Sequence, residues 1–214
     1  MKASRALITC VITIVSVVIA TASPSHAQLL GQVSTARTLV RGANDMGGYI
    51  GLFEDYTTLF GQYRRGLSSN MDFGLQAGLI DPDIRGADAG LILGGDLKFN
   101  VMSAGYDPFD MALGVRGSFF DISNMSVLSV GGAVILSRDY SIEGGGILSP
   151  YGSVNIRLEH ASFDNNGGFD NNDTDLEIGG TAGAKWELSD LIDALGEIVL
   201  DENWGLVVGL NFKL

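Results

Sequence analysis

His160 is the one histidine downstream of residue 27, so histidine chemistry has a single address in this chain. His160-Ala161-Ser162 sets a histidine and a serine two apart, which places both on one face of a strand. A serine beside a histidine base is a nucleophile, provided a third group orients the histidine. That third group is missing from this face. Glu177 has the opposite parity, and Asp164 falls in a loop. Asp81 and Asp83 flank Pro82 and read as a turn rather than as paired catalytic acids. The stretch 163–173 repeats Phe-Asp-Asn-Asn at 163–166 and 169–172, and Asp164, Asp170, Asp173 and Asp175 offer calcium-type oxygen ligands. Their spacing is not that of a helical calcium loop, and Asn, Asp and Gly are ordinary turn residues. Cys10 is the only cysteine, inside an N-terminal apolar run. No metal or cofactor is implied, and no catalytic residue is assigned.

A second set of chemistry-bearing residues is larger. Asp96, Lys98, Arg116, Arg157, Glu159, Glu177, Lys185 and Glu187, with Arg64, share a parity with many glycines: Gly74, Gly78, Gly90, Gly94, Gly114, Gly179, Gly183, Gly205 and Gly209. Beyond residue 27 the only lysines are Lys98, Lys185 and Lys213, all on this face. A water-exposed surface scatters its lysines. Charges of both signs among glycines instead predict an enclosed, mutually neutralising network in a narrow interior.

The elements that must carry this face alternate with period two. Trp204, Leu206, Val208, Leu210, Phe212 and Leu214 oppose Gly205, Val207, Gly209, Asn211 and Lys213. Met71–Leu79, Ala89–Val101, Met111–Phe119, Val154–Leu158 and Leu176–Leu188 alternate in the same way. The pattern weakens at 49–54, 57–65, 125–138 and 191–200, where β-branched and aromatic content and flanking turns still predict strands. Ten strands result: 47–55, 57–65, 71–80, 88–101, 110–120, 125–138, 148–161, 174–188, 191–200 and 204–214. Eight is the alternative if the weak segments do not span. The fold class is all-β, a closed antiparallel barrel.

Lys2 and Arg5 precede the apolar run Leu7–Ala20, and Ser25-His26-Ala27 follows. This order predicts an export signal cleaved after Ala27. The run is shorter than the ~20 residues of a spanning helix. The domains expected are a signal peptide at 1–27, a periplasmic lead-in or plug at 28–46, and a barrel at 47–214. The formal net charge is −12, and losing residues 1–27, with two cations and no acids, makes it more negative still. Such a chain lacks the clustered Lys and Arg that bind nucleic acid through its phosphates.

Alternation alone also fits a soluble, lipocalin-like barrel with its apolar face inward. The glycine-rich charged face argues for the reverse, with the apolar face in lipid. Strand lengths near the ~9–11 residues of a tilted spanning strand agree. Tyr49, Tyr63, Phe99, Phe119, Trp186, Trp204 and Phe212 are expected as interfacial girdles. On these residues the chain resembles the small outer-membrane β-barrel proteins of Gram-negative bacteria, the OmpA/OmpX-like superfamily in a loose sense, over about 47–214. The resemblance implies outer-membrane lipid as the surroundings. It also implies recognition of the last strand by the barrel-assembly machinery, through Gly209, Leu210, Phe212 and Leu214, although an aromatic is the more usual final residue. His160-x-Ser162 is similar to a pair in the lipid A deacylases of that membrane, a resemblance three residues long. The expected role is structural or surface-interacting, with a largely filled polar interior and no extracellular partner identified. A narrow porin-like pore and a lipid-cutting enzyme are the alternatives.

Overall fold

The computed structural model describes residues 31–214 except 84–87, 123–124, 144, 164–170 and 202–203. Its strands are β1 (Asn44–Phe53), β2 (Tyr56–Gly66), β3 (Met71–Pro82), β4 (Gly90–Met102), β5 (Asp110–Ile122), β6 (Met125–Ser137), β7 (Tyr140–Ser141), β8 (Ile147–Phe163), β9 (Asn171–Glu187), β10 (Ile192–Leu200) and β11 (Gly205–Lys213). Ten of them form one antiparallel ring. Neighbours in sequence pair, β6 passes to β8, and β1 closes the ring on β11 from Asp45↔Lys213 to Phe53↔Gly205. The two-residue β7 is a stub against Leu148 and Ile147 in the β6–β8 connection, outside the ring. Closure leaves no unpaired sheet edge, which is how a barrel satisfies its backbone.

The number of spanning strands is therefore ten, not eight, and the weak segments 49–54, 57–65, 125–138 and 191–200 are full members. The barrel begins at Asn44 rather than 47, because Asn44, Asp45 and Met46 already pair with Arg65, Arg64 and Tyr63. Asn44 and Lys213 lie at one end of the ring, called here the near end. The connections β2–β3, β4–β5, β6–β8 and β9–β10 lie at this end too. The long connection at 103–109 is tied down by Asp110, whose Oδ1 accepts from the Ala104 amide at 2.9 Å.

Parity sorts the side chains. Leu59, Leu75, Leu79, Leu91, Leu93, Leu97, Val115, Val130, Ile156, Leu158, Leu176 and Leu206 point outward and are exposed. Arg64, Asp72, Lys98, Arg157, Glu159, Glu177, Asp193 and Glu197 point inward and are buried. The lipocalin-like arrangement is thereby excluded. Phe99, Trp186 and Phe212 stand outward near the near end, and Phe119 and Trp204 toward the far end. Tyr63 and Phe73 add an edge-on pair at the near end, with ring centroids 6.2 Å apart. Tyr49 departs from the girdle expectation. It shares parity with Gly47 and Gly51, points inward, is 1% exposed, and stacks on Phe60 at 5.1 Å.

Closure has a measurable consequence. Hydrogen exchange in the detergent-solubilised protein should find the amides of the β1–β11 ladder as slow as those of the β3–β4 ladder. Exchange in β1 and β11 faster by orders of magnitude would mean an open seam.

Candidate functional site

The lumen is the candidate site. At its near end Arg64 lies between two carboxylates, 2.5 Å from Asp72 Oδ1 and 2.6 Å from Asp96 Oδ1. Register explains the geometry. Arg64 faces Gly74 across the β2–β3 ladder, and Gly74 faces Asp96 across the next. A Cβ on Gly74 would sit 2.6 Å from both Arg64 Nη2 and Asp96 Oδ1, so the guanidinium crosses a strand only because that strand has no side chain there. Gly179 does the same on the opposite wall, beside Arg157, which pairs with Glu159 at 2.5 Å and Asp201 at 2.8 Å. Lys185 and Lys213 approach Asp193 at 3.4 and 3.1 Å, and Lys213 also reaches Glu187 at 3.0 Å. Both Asp193 oxygens lack an aligned hydrogen bond, so these contacts are ion pairs held by charge rather than by direction.

The far half of the lumen, where Arg157, Glu159 and Asp201 lie, also holds apolar packing. Phe53, Tyr56, Phe60, Ile80, Ile92, Phe120, Val127 and Val199 form one buried cluster there, with Phe53 stacked on Tyr56 at 4.5 Å. Between the two layers runs the segment 31–43, ahead of β1. It is not only a lead-in: Gln32, Val33, Ser34, Thr35 and Ala36 are buried inside the ring. Glu197 accepts from the amides of Gln32 and Val33 at 2.7 and 2.9 Å and from Tyr151 Oη at 2.6 Å. Lys98 donates to the carbonyls of Thr35 and Arg37 at 2.8 and 2.9 Å. Arg116 donates to the Gly31 carbonyl and to Gln32 Oε1 at 3.3 and 3.0 Å. Val33 itself belongs to the apolar cluster.

All eight charged residues singled out in the sequence lie on inward-facing positions. Asp96, Arg157, Glu159, Lys185 and Glu187 make the ion pairs above, Lys98 lies 3.5 Å from Asp72 and, like Arg116, turns to the inner segment, and Glu177 is buried beside this wall. Asp193, Glu197 and Asp201 were not in that set. Asp193 and Glu197 lie in β10, where inward Leu195 and Val199 blur the alternation. Counting parity back from Val199 would have found them.

His160 and Ser162 do share the outer face, toward the far end. His160 Nδ1 lies 2.9 Å from Thr174 Oγ1, its partner across β8–β9. Among the described residues no carboxylate is recorded bonding this histidine, so a hydroxyl stands where an orienting acid is needed. The aspartate-rich stretch lies mostly outside the described residues, and among those described no group of three acidic, histidine or cysteine residues could hold a metal.

No protein-family model matches the chain, and no curated protein matches it. Solved structures resemble it in outline. The N-terminal β-barrel domain of Pseudomonas aeruginosa OprF is 11% identical, over 81% of this chain and 98% of that one, with a TM-score of 0.40. The outer membrane protein OprG of Pseudomonas aeruginosa is 16% identical over 85% and 99%, with a TM-score of 0.37. The KdgM porin in complex with disordered oligogalacturonate is 5% identical over 79% and 99%, with a TM-score of 0.43. What this chain shares with them is a closed antiparallel barrel, an architecture its own ladders establish.

Removing one partner from a buried ionic network leaves an uncompensated charge. Arg64→Ala should therefore cost about 3–5 kcal/mol in urea unfolding from micelles. Arg64→Lys should fall between it and the parent, because an ammonium cannot fork to two carboxylates. A loss near zero for Arg64→Ala would mean the near-end charges are hydrated rather than sealed.

Proposed function

We propose that this chain is an integral outer-membrane β-barrel protein with a structural or surface-interaction role and a lumen closed to solutes. The observation that carries the reading is the sorting of side chains on a closed sheet. Exposed Leu, Val, Ile and Phe face outward on every strand of the ring, with small residues such as Gly61, Gly132 and Gly180 between them, while the ion pairs described above are shut inside. Water offers no reason for that arrangement and hydrocarbon does.

Other features support the same placement. The outward face turns polar at the far end, at Asp81, Asp121, His160 and Thr174, which is where an apolar band would stop. Aromatic side chains stand near both ends of the strands. The near end faces the periplasm in this reading, since the N-terminal segment enters there. Residues 1–27 act as the export signal, although they lie outside the described residues. Leu210, Phe212 and Leu214 project outward along the last strand, as a signal for the assembly machinery requires.

The role is non-enzymatic in this reading, because His160 is oriented by Thr174 and not by an acid. It is not a steady pore, because two independent fillings block the lumen: the apolar cluster and the inner segment. Planar-bilayer recording should find the barrel silent, whereas steady ohmic steps would replace this reading with a narrow pore. The lipid-facing assignment has its own test. Leu97→Arg, outward in the middle of β4, should destabilise the lipid-folded protein by about 2–4 kcal/mol. A change within ~0.5 kcal/mol, as for a substitution on a water-exposed surface, would contradict it.

A further inference from the structure

The far end of the lumen holds more negative charge than its own walls neutralise. Arg157 faces Glu177 across the β8–β9 ladder, Glu159 is the next inward residue of β8, and Asp201 follows β10. Arg157 takes Glu159 Oε1 at 2.5 Å and Asp201 Oδ2 at 2.8 Å, and its Nη1 donates to Asn155 Oδ1 at 3.1 Å. Among the described residues, one cation thus stands with three carboxylates there, and the side chains are buried. The near end is balanced, since Arg64 and Lys98 answer Asp72 and Asp96.

Two polar atoms in this region have no partner. Glu159 Oε2 is buried and unbonded, although Oε1 of the same carboxylate is paired. Tyr56 is 6% exposed, and its Oη also lacks a hydrogen bond. Tyr56 comes from the opposite wall, because β2 lies five strands from β8 in either direction around the ring. Stacking on Phe53 at 4.5 Å fixes its ring. The charges that act most strongly on its hydroxyl are those of Asp201, Arg157 and Glu159, so the hydroxyl is aimed at this cluster. Yet it does not bond Glu159 Oε2, the acceptor it could satisfy. A buried polar atom left unpaired is costly, and a carboxylate oxygen more so. A group that brings both an N–H donor and a positive charge meets the two deficits together.

The acceptors also say which cation fits. Among the described residues no three acidic, histidine or cysteine side chains are placed to hold a metal ion, so the carboxylates are not an inner-sphere set. An ammonium needs only acceptors arranged around one nitrogen. Phe53, Phe120, Ala161 and Val199 belong to the buried apolar layer at this end and suit a methylene stem. The same layer keeps an occupant from passing through.

We propose that the far end of the lumen is a binding site for the primary ammonium of a small aliphatic amine. Glu159 Oε2 and Tyr56 Oη accept its N–H bonds, and Glu177 and Asp201 supply the balancing charge. The amine enters from outside the cell and does not cross. The proposal rests on the outer-membrane barrel reading given above, which makes the far end the outer one.

Cadaverine, a five-carbon diamine, is the probe. Calorimetric titration of cadaverine into the detergent-folded protein at fixed ionic strength should show saturable binding. Tetramethylammonium carries positive charge without an N–H and should bind more weakly by about tenfold or more. Glu159→Gln should weaken cadaverine by a similar factor. Tyr56→Phe, which removes only an unbonded oxygen and leaves the ring stacked, should weaken it in the same direction even if Glu159→Gln fails to fold. Glu187→Gln, at the near end, should leave binding unchanged. No saturable binding, equal binding of tetramethylammonium, or full affinity in the Tyr56→Phe and Glu159→Gln proteins overturns the proposal. Gel migration of the same sample before and after boiling separates this failure from failure of the barrel reading. A sample that migrates alike in both states refutes the barrel, and with it the site.

Discussion

The ladder between β1 and β11 is the interaction on which the rest of the structure depends. Without it the sheet has two edges, and the faces of the strands see two similar surroundings. With it there is an outside and an inside, and period two becomes a sorting rule. Closure sets Tyr49 against Asn211, whose Oδ1 accepts from the tyrosine hydroxyl. It also makes the interior narrow. Inward positions from ten strands compete for one volume, and the sequence resolves the competition with glycine wherever a long cation must cross. Gly74 beneath the Arg64–Asp96 contact and Gly179 beside Arg157 are the same solution on opposite walls.

The interior has two characters. Paired charges and main-chain contacts dominate toward the near end, while toward the far end aromatic and aliphatic packing shares the lumen with the Arg157–Glu159–Asp201 cluster. Neither part is stable in the manner of the other. The charged part depends on complete pairing, because each ion there has lost its water. The apolar part depends on area removed from water, and is indifferent to direction. The inner segment joins them: its backbone satisfies Lys98, Arg116 and Glu197, and Val33 packs into the apolar layer.

This division also explains what the sequence reveals. Strands β3, β4, β5, β9 and β11 were legible because their inward faces are mostly glycine, polar and charged, with few apolar residues such as Ile80, Ile92, Phe120 and Val207, so the apolar outer face stands out. The segments with weak alternation are those whose inward residues are themselves apolar: Tyr49 and Phe53 in β1, Tyr56 and Phe60 in β2, Val127 and Ile135 in β6, Leu195 and Val199 in β10. There both faces are greasy and the period fades. Tyr49 was assigned to a girdle for the same reason, since a tyrosine near a strand end fits either side. Glu197 was hidden between Leu195 and Val199. The inner segment left no pattern because the barrel reads its backbone, which every sequence has. His160 and Ser162 were placed correctly on the outer face, but spacing could not reveal that their cross-strand neighbour is Thr174.

The central claim is that apolar side chains face lipid around a closed and filled lumen. Spin-label accessibility along β6 and β8 in lipid bilayers tests it most directly, using oxygen as the lipid-soluble relaxant and a nickel chelate as the aqueous one. Labels at outward Val130, Val134, Ile156 and Leu158 should respond to oxygen alone, and labels at inward Ser129, Ala133 and Ser153 should respond to neither. Nickel access at the inward positions would mean an open channel, and oxygen access at the inward set with nickel access at the outward set would mean that the faces are reversed and the barrel does not belong in a membrane.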